Sequence, residues 1–185
     1  MTTLPTLPDL IRDGLDVVFV GINPSPYSVA QGHYFARKTN RFWPCFSRSA
    51  LSAAARAALQ IERLEPAHDV ALMEHGFGFT DVAKRPSARA DQLTPAEMSA
   101  GVEGLLAKLR RYAPRVACFH GVTGYRFVHR VLAPGDPPAA LGLQRAVLGP
   151  TQLFVAPNPS PANAHFTPAQ QTEWYDRLSR YLART

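Results

Sequence analysis

Val17-Val18-Phe19-Val20-Gly21-Ile22-Asn23-Pro24-Ser25-Pro26 is the stretch that decides the fold. Four consecutive β-favouring apolar residues, with no polar alternation, predict a strand buried on both faces, as in a parallel α/β sheet. Gly21 permits close backbone approach, and Pro24 and Pro26 stop the strand from continuing. Far downstream, Leu153-Phe154-Val155-Ala156 leads into a second Asn-Pro turn, Pro157-Asn158-Pro159-Ser160-Pro161. The strands of a parallel sheet end on a crevice beyond their carboxyl edge. Both turns are therefore expected to line one site.

Working outward, residues 1–14 read as an N-terminal arm restricted by Pro5 and Pro8, and residues 15–185 as one domain. The segment from Ser28 to Thr39 is expected to be a loop or short helix over the strand end. Asn40 is placed to cap a helix that buries Phe42, Trp43 and Phe46, with Pro44 tolerated in its first turn. The alanine-rich segment from Leu51 to Leu64 favours helix, and His68 to His75 predicts a further one. Gly76 to Val82 reads as a short extended element. Thr94-Pro95 with Glu97 is a capped helix start running to about Tyr112. Val116-Ala117-Cys118-Phe119 is a strand, followed by a helix around Tyr125 to Val131 and a turn-rich connection from Pro134 to Pro138. Leu153 to Ala156 is the last strand, and Thr167-Pro168 opens a terminal helix containing Trp174, Leu178 and Leu182. Strands separated by helical crossovers predict a single three-layer α/β/α domain with a short, mainly parallel central sheet.

The chain has 185 residues, enough for one well-filled core. Its formal charge is +6 and its pI is about 9.7, a balance that favours a polyanionic partner. Cys45 and Cys118 are too few and too separated for a disulfide framework or a metal cluster, so buried free thiols are expected. No stretch has the pattern of a secretory signal or the length of a membrane span, and a cytoplasmic location is the corresponding expectation. The dinucleotide-binding glycine fingerprint and the phosphate-loop Gly-Lys-Ser/Thr pattern are both absent, against a small-molecule nucleotide enzyme.

The Asn23 amide can donate and accept hydrogen bonds at once. It either completes a turn or orients a water towards an electron-poor sugar carbon. As a weak base it would act by positioning and by stabilising developing charge. Phe35, or its neighbour Tyr34, can stack on an extruded base or pack in the core. Asn158, Ser160, Pro161, Ala162, Asn163 and His165 form a proline-stiffened loop suited to facing DNA, or an ordinary connector. Lys84 and Arg85, with Arg89, and Arg37, Lys38 and Arg41 are candidate phosphate contacts.

Together, Gly21-Ile22-Asn23-Pro24, Phe35-Ala36, Asn40-Arg41-Phe42-Trp43 and Asn158-Pro159-Ser160 resemble the mismatch-specific uracil/thymine-DNA glycosylases, in particular the bacterial mismatch uracil branch. The resemblance runs in order from about Leu15 to the terminal helix. It implies a uracil-DNA glycosylase fold and a monofunctional enzyme that hydrolyses the N-glycosidic bond of deoxyuridine, favouring G·U mismatches in double-stranded DNA. No cofactor, metal or obligate protein partner is implied. Asn23 matches the water-positioning residue, Ile22 a base-pocket residue, Phe35 the stacking aromatic, and Asn158 and Ser160 the second DNA-facing motif. Ser25 stands where the bacterial branch usually has glycine, placing it at the base entrance. Pro161 and Ala162 replace a Gly-Leu pair, and Ala164 stands where an arginine is often found, so the usual wedge is altered. A catalytically weak binder of damaged or mismatched DNA is the alternative this loop leaves open. Of the two carboxylates near the site, Asp91 is the expected catalytic one, because the bacterial branch usually has a non-acidic polar residue there. Asp81 reads equally as a turn cap.

Overall fold

A computed structural model of the chain describes residues 5–135 and 139–185. The sheet has five strands: β1 (Val17–Gly21), β2 (Phe77–Asp81), β3 (Val116–His120), β4 (Gly142–Leu148) and β5 (Thr151–Ala156). Their order is β2-β1-β3-β5-β4. The pairings β1/β2, β1/β3 and β3/β5 are parallel, and β4/β5 is antiparallel. The protein is an α/β domain with a mixed sheet and surrounding helices.

The six helices among the described residues are α1 (Pro26–Gln31), α2 (Phe42–Arg48), α3 (Ala53–Leu59), α4 (Pro95–Tyr112), α5 (Val122–Leu132) and α6 (Pro168–Leu182). Side-chain alternation along β1 sends Val17 and Phe19 into one hydrophobic cluster and Val18 and Val20 into another. The first cluster takes Phe42 and Phe46 from α2 and Tyr175 and Leu178 from α6. The second takes Val102, Leu105 and Leu109 from α4 and Tyr125 and Val128 from α5. Burial on both sides explains why β1 reads as a continuous apolar run and why β3 is apolar up to its closing His120.

The Thr94/Glu97 cap and the helix start at Thr167-Pro168 match the structure. Thr94 accepts from the Glu97 amide at 3.2 Å while the Glu97 side chain reaches back to the Thr94 amide at 2.8 Å. Thr167 and Gln170 form the same box at the start of α6. At α2 the N-cap is Arg41 and not the expected Asn40, which stands one residue earlier and accepts from the Phe42 amide at 2.9 Å.

Three expectations need correction. β4 was not foreseen, because its pattern is inverted: Leu143 and Val147 face out while Gln144 and Ala146 are half-buried. A register shift between Leu143 and Val147 blurs the period further. His68 to His75 holds two single 3-10 turns, Pro66–His68 and Ala71–His75, rather than a helix. Gly76 closes the second at φ 84°, which a continuing helix does not allow. The alanine-rich helix stops at Leu59, where Gln60 turns left-handed at φ 56°. Within the expected connection from Pro134 to Pro138, residues 136–138 lie outside the described residues, as do residues 1–4 of the arm.

From Pro5 onward the arm stretch lies against the sheet. Leu10 exchanges backbone hydrogen bonds of 2.9 and 2.7 Å with Phe79, and Leu7 is buried. Asp9 accepts from Thr80 Oγ1 at 2.6 Å, Lys84 Nζ at 2.9 Å and Lys108 Nζ at 2.6 Å. After β1 the chain goes to β2 on one side and later to β3 on the other. Loops leaving β1 and β3 consequently diverge, and a crevice opens at the carboxyl ends.

Candidate active site

A cavity of about 610 Å³ occupies that crevice. Gly21, Asp81 and His120 line it from the last positions of β1, β2 and β3, and Asn158 lines it from the loop after β5. The two Asn-Pro turns do meet, as the sequence predicts.

Asn23 is held by its amide nitrogen. Nδ2 donates to Ser87 Oγ at 2.8 Å, to the Arg85 carbonyl at 3.0 Å and to the Pro24 carbonyl at 3.3 Å. Ser87 Oγ donates onward to the Arg89 carbonyl at 2.7 Å, so towards Asn23 it acts as the acceptor. Carbonyls only accept, which fixes the nitrogen on that side. Oδ1 accepts no hydrogen bond among the described residues and remains available to a water or substrate in the cavity. Ser87, which sequence reading did not single out, is thus the positioning partner of Asn23.

Phe35 stacks on Phe42 at 4.5 Å between centroids, with the rings 27° apart, and meets His120 edge-on at 5.2 Å. Its φ is 52°, an uncommon conformation for a bulky residue and one often retained at functional sites. Tyr34 also lines the cavity but is spoken for: it is buried, its hydroxyl donates to the Pro8 carbonyl at 3.0 Å, and its ring stacks on Phe79. Ser25 lines the cavity and caps α1, accepting from the Ser28 amide at 3.1 Å. Ile22 lies at the wall against Gly124, where an added methyl would approach Ile22 Cγ1 to 2.9 Å.

In the second loop, Asn158 Oδ1 accepts from the Ser160 amide at 2.9 Å. Gly121 makes room for Asn158: it sits at φ +95°, and a Cβ there would stand 3.1 Å from Asn158 Cβ. Ser160, Pro161 and Ala162 line the cavity, with Pro161 and Ala162 exposed at its mouth. Asn163 and His165 are not among its lining residues; Asn163 Nδ2 ties the loop to the Asn158 carbonyl at 2.9 Å, and His165 is exposed. Arg41 is a clamp on this loop, not a free phosphate contact. Its guanidinium donates to the carbonyls of Ser160, at 3.0 Å, Asn163 and Phe166, and its amide donates to the Pro159 carbonyl at 3.0 Å. Arg41→Ala is expected to accelerate amide hydrogen exchange in residues 158–166 by about tenfold or more, since each lost charged hydrogen bond is worth ~1.5–3 kcal/mol. Mass-spectrometric exchange in that segment, compared with α4, checks this.

Of the basic residues expected to contact phosphate, Lys84 and Arg85 are engaged elsewhere. Arg85 pairs with Glu97 and donates to the Gln92 carbonyl at 2.6 Å, which stitches its loop to the start of α4. That hydrogen bond from Arg85 holds the Glu97 carboxyl down at about 2. Lys84 points inward, to Asp9 at 2.9 Å and the Tyr34 hydroxyl at 3.3 Å. Arg37 and Arg89 are the exposed arginines at the cavity mouth.

The carboxylates are ranked differently by the fold. Asp91 is on the rim, exposed, and paired with Arg89 at 3.1 Å. Asp81 is 3 % exposed, has no side-chain hydrogen bond among the described residues, and is pushed up to about 7 by burial. Nearby Lys84 and Lys108 oppose that shift, and Asp9 adds to it. His120 is buried and pushed down to about 3 by the same desolvation, so its ring is neutral at physiological pH. Its Nε2 shares a 3.0 Å hydrogen bond with the Tyr175 hydroxyl. Sequence reading missed His120, although a polar residue closing an apolar strand at a crevice is a usable signal.

Comparison with known proteins agrees with this layout. The solution NMR structure described as a "putative Uracil DNA glycosylase" from Methanosarcina acetivorans shares the fold, with a TM-score of 0.58 and 18% identity over 96% of this chain and 97% of that one. The profile of the Uracil DNA glycosylase superfamily matches residues 8–179. With strand ends, cavity and both Asn-Pro turns inside that span, the chain belongs to the uracil-DNA glycosylase superfamily.

Proposed function

We propose that this protein is a monofunctional DNA glycosylase that removes uracil, above all from G·U mismatches, by flipping the nucleotide and hydrolysing its N-glycosidic bond. The observation that carries the reading is Asn23, whose Nδ2 is held by three acceptors while Oδ1 has no partner among the described residues, in the cavity that Phe35 also lines. In this mechanism the base enters the cavity and stacks on Phe35. Asn158 and the stiff loop after it support the flipped nucleotide, and exposed arginines at the mouth contact phosphates. Asn23 Oδ1 holds a water against C1′. The C1′–N1 bond breaks with its electron pair going to the base, the water oxygen bonds C1′, and the water's proton ends on N1 of the departed base anion, giving free uracil and an abasic sugar. A neutral amide cannot take that proton strongly, so rate comes from positioning and from a sugar cation already well developed at attack. Asp91, exposed and paired with Arg89, lends negative charge to the rim and takes no proton in this scheme. The helices around the mainly parallel strands act as the outer layers of a three-layer scaffold that holds the strand ends rigid.

Single-turnover release from G·U, A·U, G·T and single-stranded uracil oligonucleotides tests the proposal. Release that is fastest from G·U supports it as stated. Equal rates opposite guanine and adenine would remove the mismatch preference, in keeping with a small Ala162 in place of a wedge. No release from any substrate despite tight binding would make the protein a binder of damaged DNA.

A further inference from the structure

Phe35 keeps its ring in the cavity wall with a backbone that its own side chain disfavours. A φ of 52° suits glycine or asparagine, and a bulky residue holds it only where its surroundings over-determine the conformation. Three buried side chains from three separate segments do so here. The Tyr34 carbonyl, on the peptide plane entering Phe35, accepts from Trp43 Nε1 of α2 at 2.9 Å. The Ala36 amide, on the plane leaving Phe35, donates to Ser28 Oγ of α1 at 3.2 Å. The φ and ψ angles of Phe35 are the rotations between those two planes, so pinning both planes fixes both angles.

Asp69, between the two 3-10 turns that precede β2, secures the approach to this frame. Its Oδ2 accepts from the Tyr34 amide at 2.9 Å. Its Oδ1 accepts from the Val70 amide at 2.8 Å and lies 3.0 Å from His33 Nδ1. Asp69 is 1 % exposed, and a polar side chain so buried is costly to keep unless its oxygens are satisfied. Two of its three partners belong to the segment entering Phe35. Neither Asp69 nor Trp43 is among the residues lining the cavity, so any influence on a ligand there passes through the segment they hold. Phe42, stacked on Phe35 at 4.5 Å, backs the ring itself.

We propose that Asp69, Ser28 and Trp43 are positioning residues that set the Phe35 ring in place before a base arrives. The inference rests on the base-pocket reading of this cavity, and it assigns the groups that preorganise the stacking surface. A ring already ordered in the free protein spares the cost of ordering it on binding. Losing a member of the frame therefore weakens the hold on the base and leaves the DNA backbone contacts as they were.

Binding tests this without catalysis. Fluorescence anisotropy compares a duplex holding 2′-fluoro-2′-deoxyuridine opposite guanine, whose glycosidic bond resists cleavage, with the same duplex holding a tetrahydrofuran abasic analogue. The ratio of the two affinities isolates the base. Ser28→Ala strips the Ala36 amide of its acceptor. Trp43→Phe removes the Nε1 donor and keeps an aromatic ring in the core, and Asp69→Asn leaves one of two backbone amides unserved. Each is expected to lower the ratio about threefold to tenfold, the worth of one hydrogen bond, with abasic affinity unchanged. Placed in a Phe35→Ala background, each changes the ratio by less than about twofold, because the group it positions is gone. The same factor in both backgrounds, or an undiminished ratio in the single variants, would overturn the proposal. A matched fall in abasic affinity would mean a merely structural role and overturns it for that residue. Phe35→Ala alone separates the two readings. A collapsed ratio there keeps the base pocket whatever the frame variants do, whereas an unchanged one rejects the platform and this inference with it.

Discussion

Asn23→Ala is expected to lower single-turnover uracil release from a G·U duplex by roughly 10²–10³-fold, the usual cost of removing a preorganised polar group from a reacting centre. Affinity for an abasic duplex should change little, because the residues proposed to touch DNA lie elsewhere. The loss follows from geometry. Three acceptors hold Nδ2, so Oδ1 can direct a water without reorganising when the glycosidic bond breaks. Alanine removes both ends of that arrangement. Asn23→Asp is no remedy: its carboxylate would face the carbonyls of Arg85 and Pro24 with no proton to donate. Asp91→Asn, in contrast, should stay within about threefold of wild type, since its carboxylate is exposed and paired, where such charges contribute little. Quench-flow or manual-quench release assays on matched duplexes decide both. A large loss in Asp91→Asn with little in Asn23→Ala would exchange their roles.

Asp81→Asn should make the free protein more stable than wild type at pH 8, with the advantage vanishing towards pH 4. The folded carboxyl sits near 7 against 3.8 in the unfolded chain. Between those values the native state binds more protons than the unfolded one, so wild-type stability falls as pH rises, then levels once both states are ionised. Each unit of difference is worth about 1.4 kcal/mol, giving a gap of ~2–4 kcal/mol on the alkaline side. An asparagine carries no charge to desolvate and escapes this loss. Urea unfolding at pH 5 and pH 8, without DNA, measures it. A gap of equal size at both pH values would mean that Asp81 is not protonated by its burial.

Legibility followed the range of the interactions. The β1 run, the capping pair Thr94/Glu97, and the helix starts at Thr167-Pro168 and beside Asn40 depend on neighbours within a few residues, and all were readable. β4 was not, because an edge strand with one open face needs no apolar alternation of its own; its place comes from pairing with β5. Arg41 read as a phosphate contact and not as a loop clamp, since the carbonyls that occupy it lie more than a hundred residues away.

By itself, the sequence determined the α/β class, the superfamily and the meeting of two Asn-Pro turns at one sheet edge, because apolar runs and turn chemistry are written locally. Only the tertiary structure decided which charged side chains are spent and which are free. Asp81 and Asp91 are ten positions apart and chemically identical. Folding buries one at the end of β2 beside Gly21 and leaves the other in solvent beside Arg89. A carboxyl's function depends on the dielectric and partners around it, and these are set by contacts between distant segments.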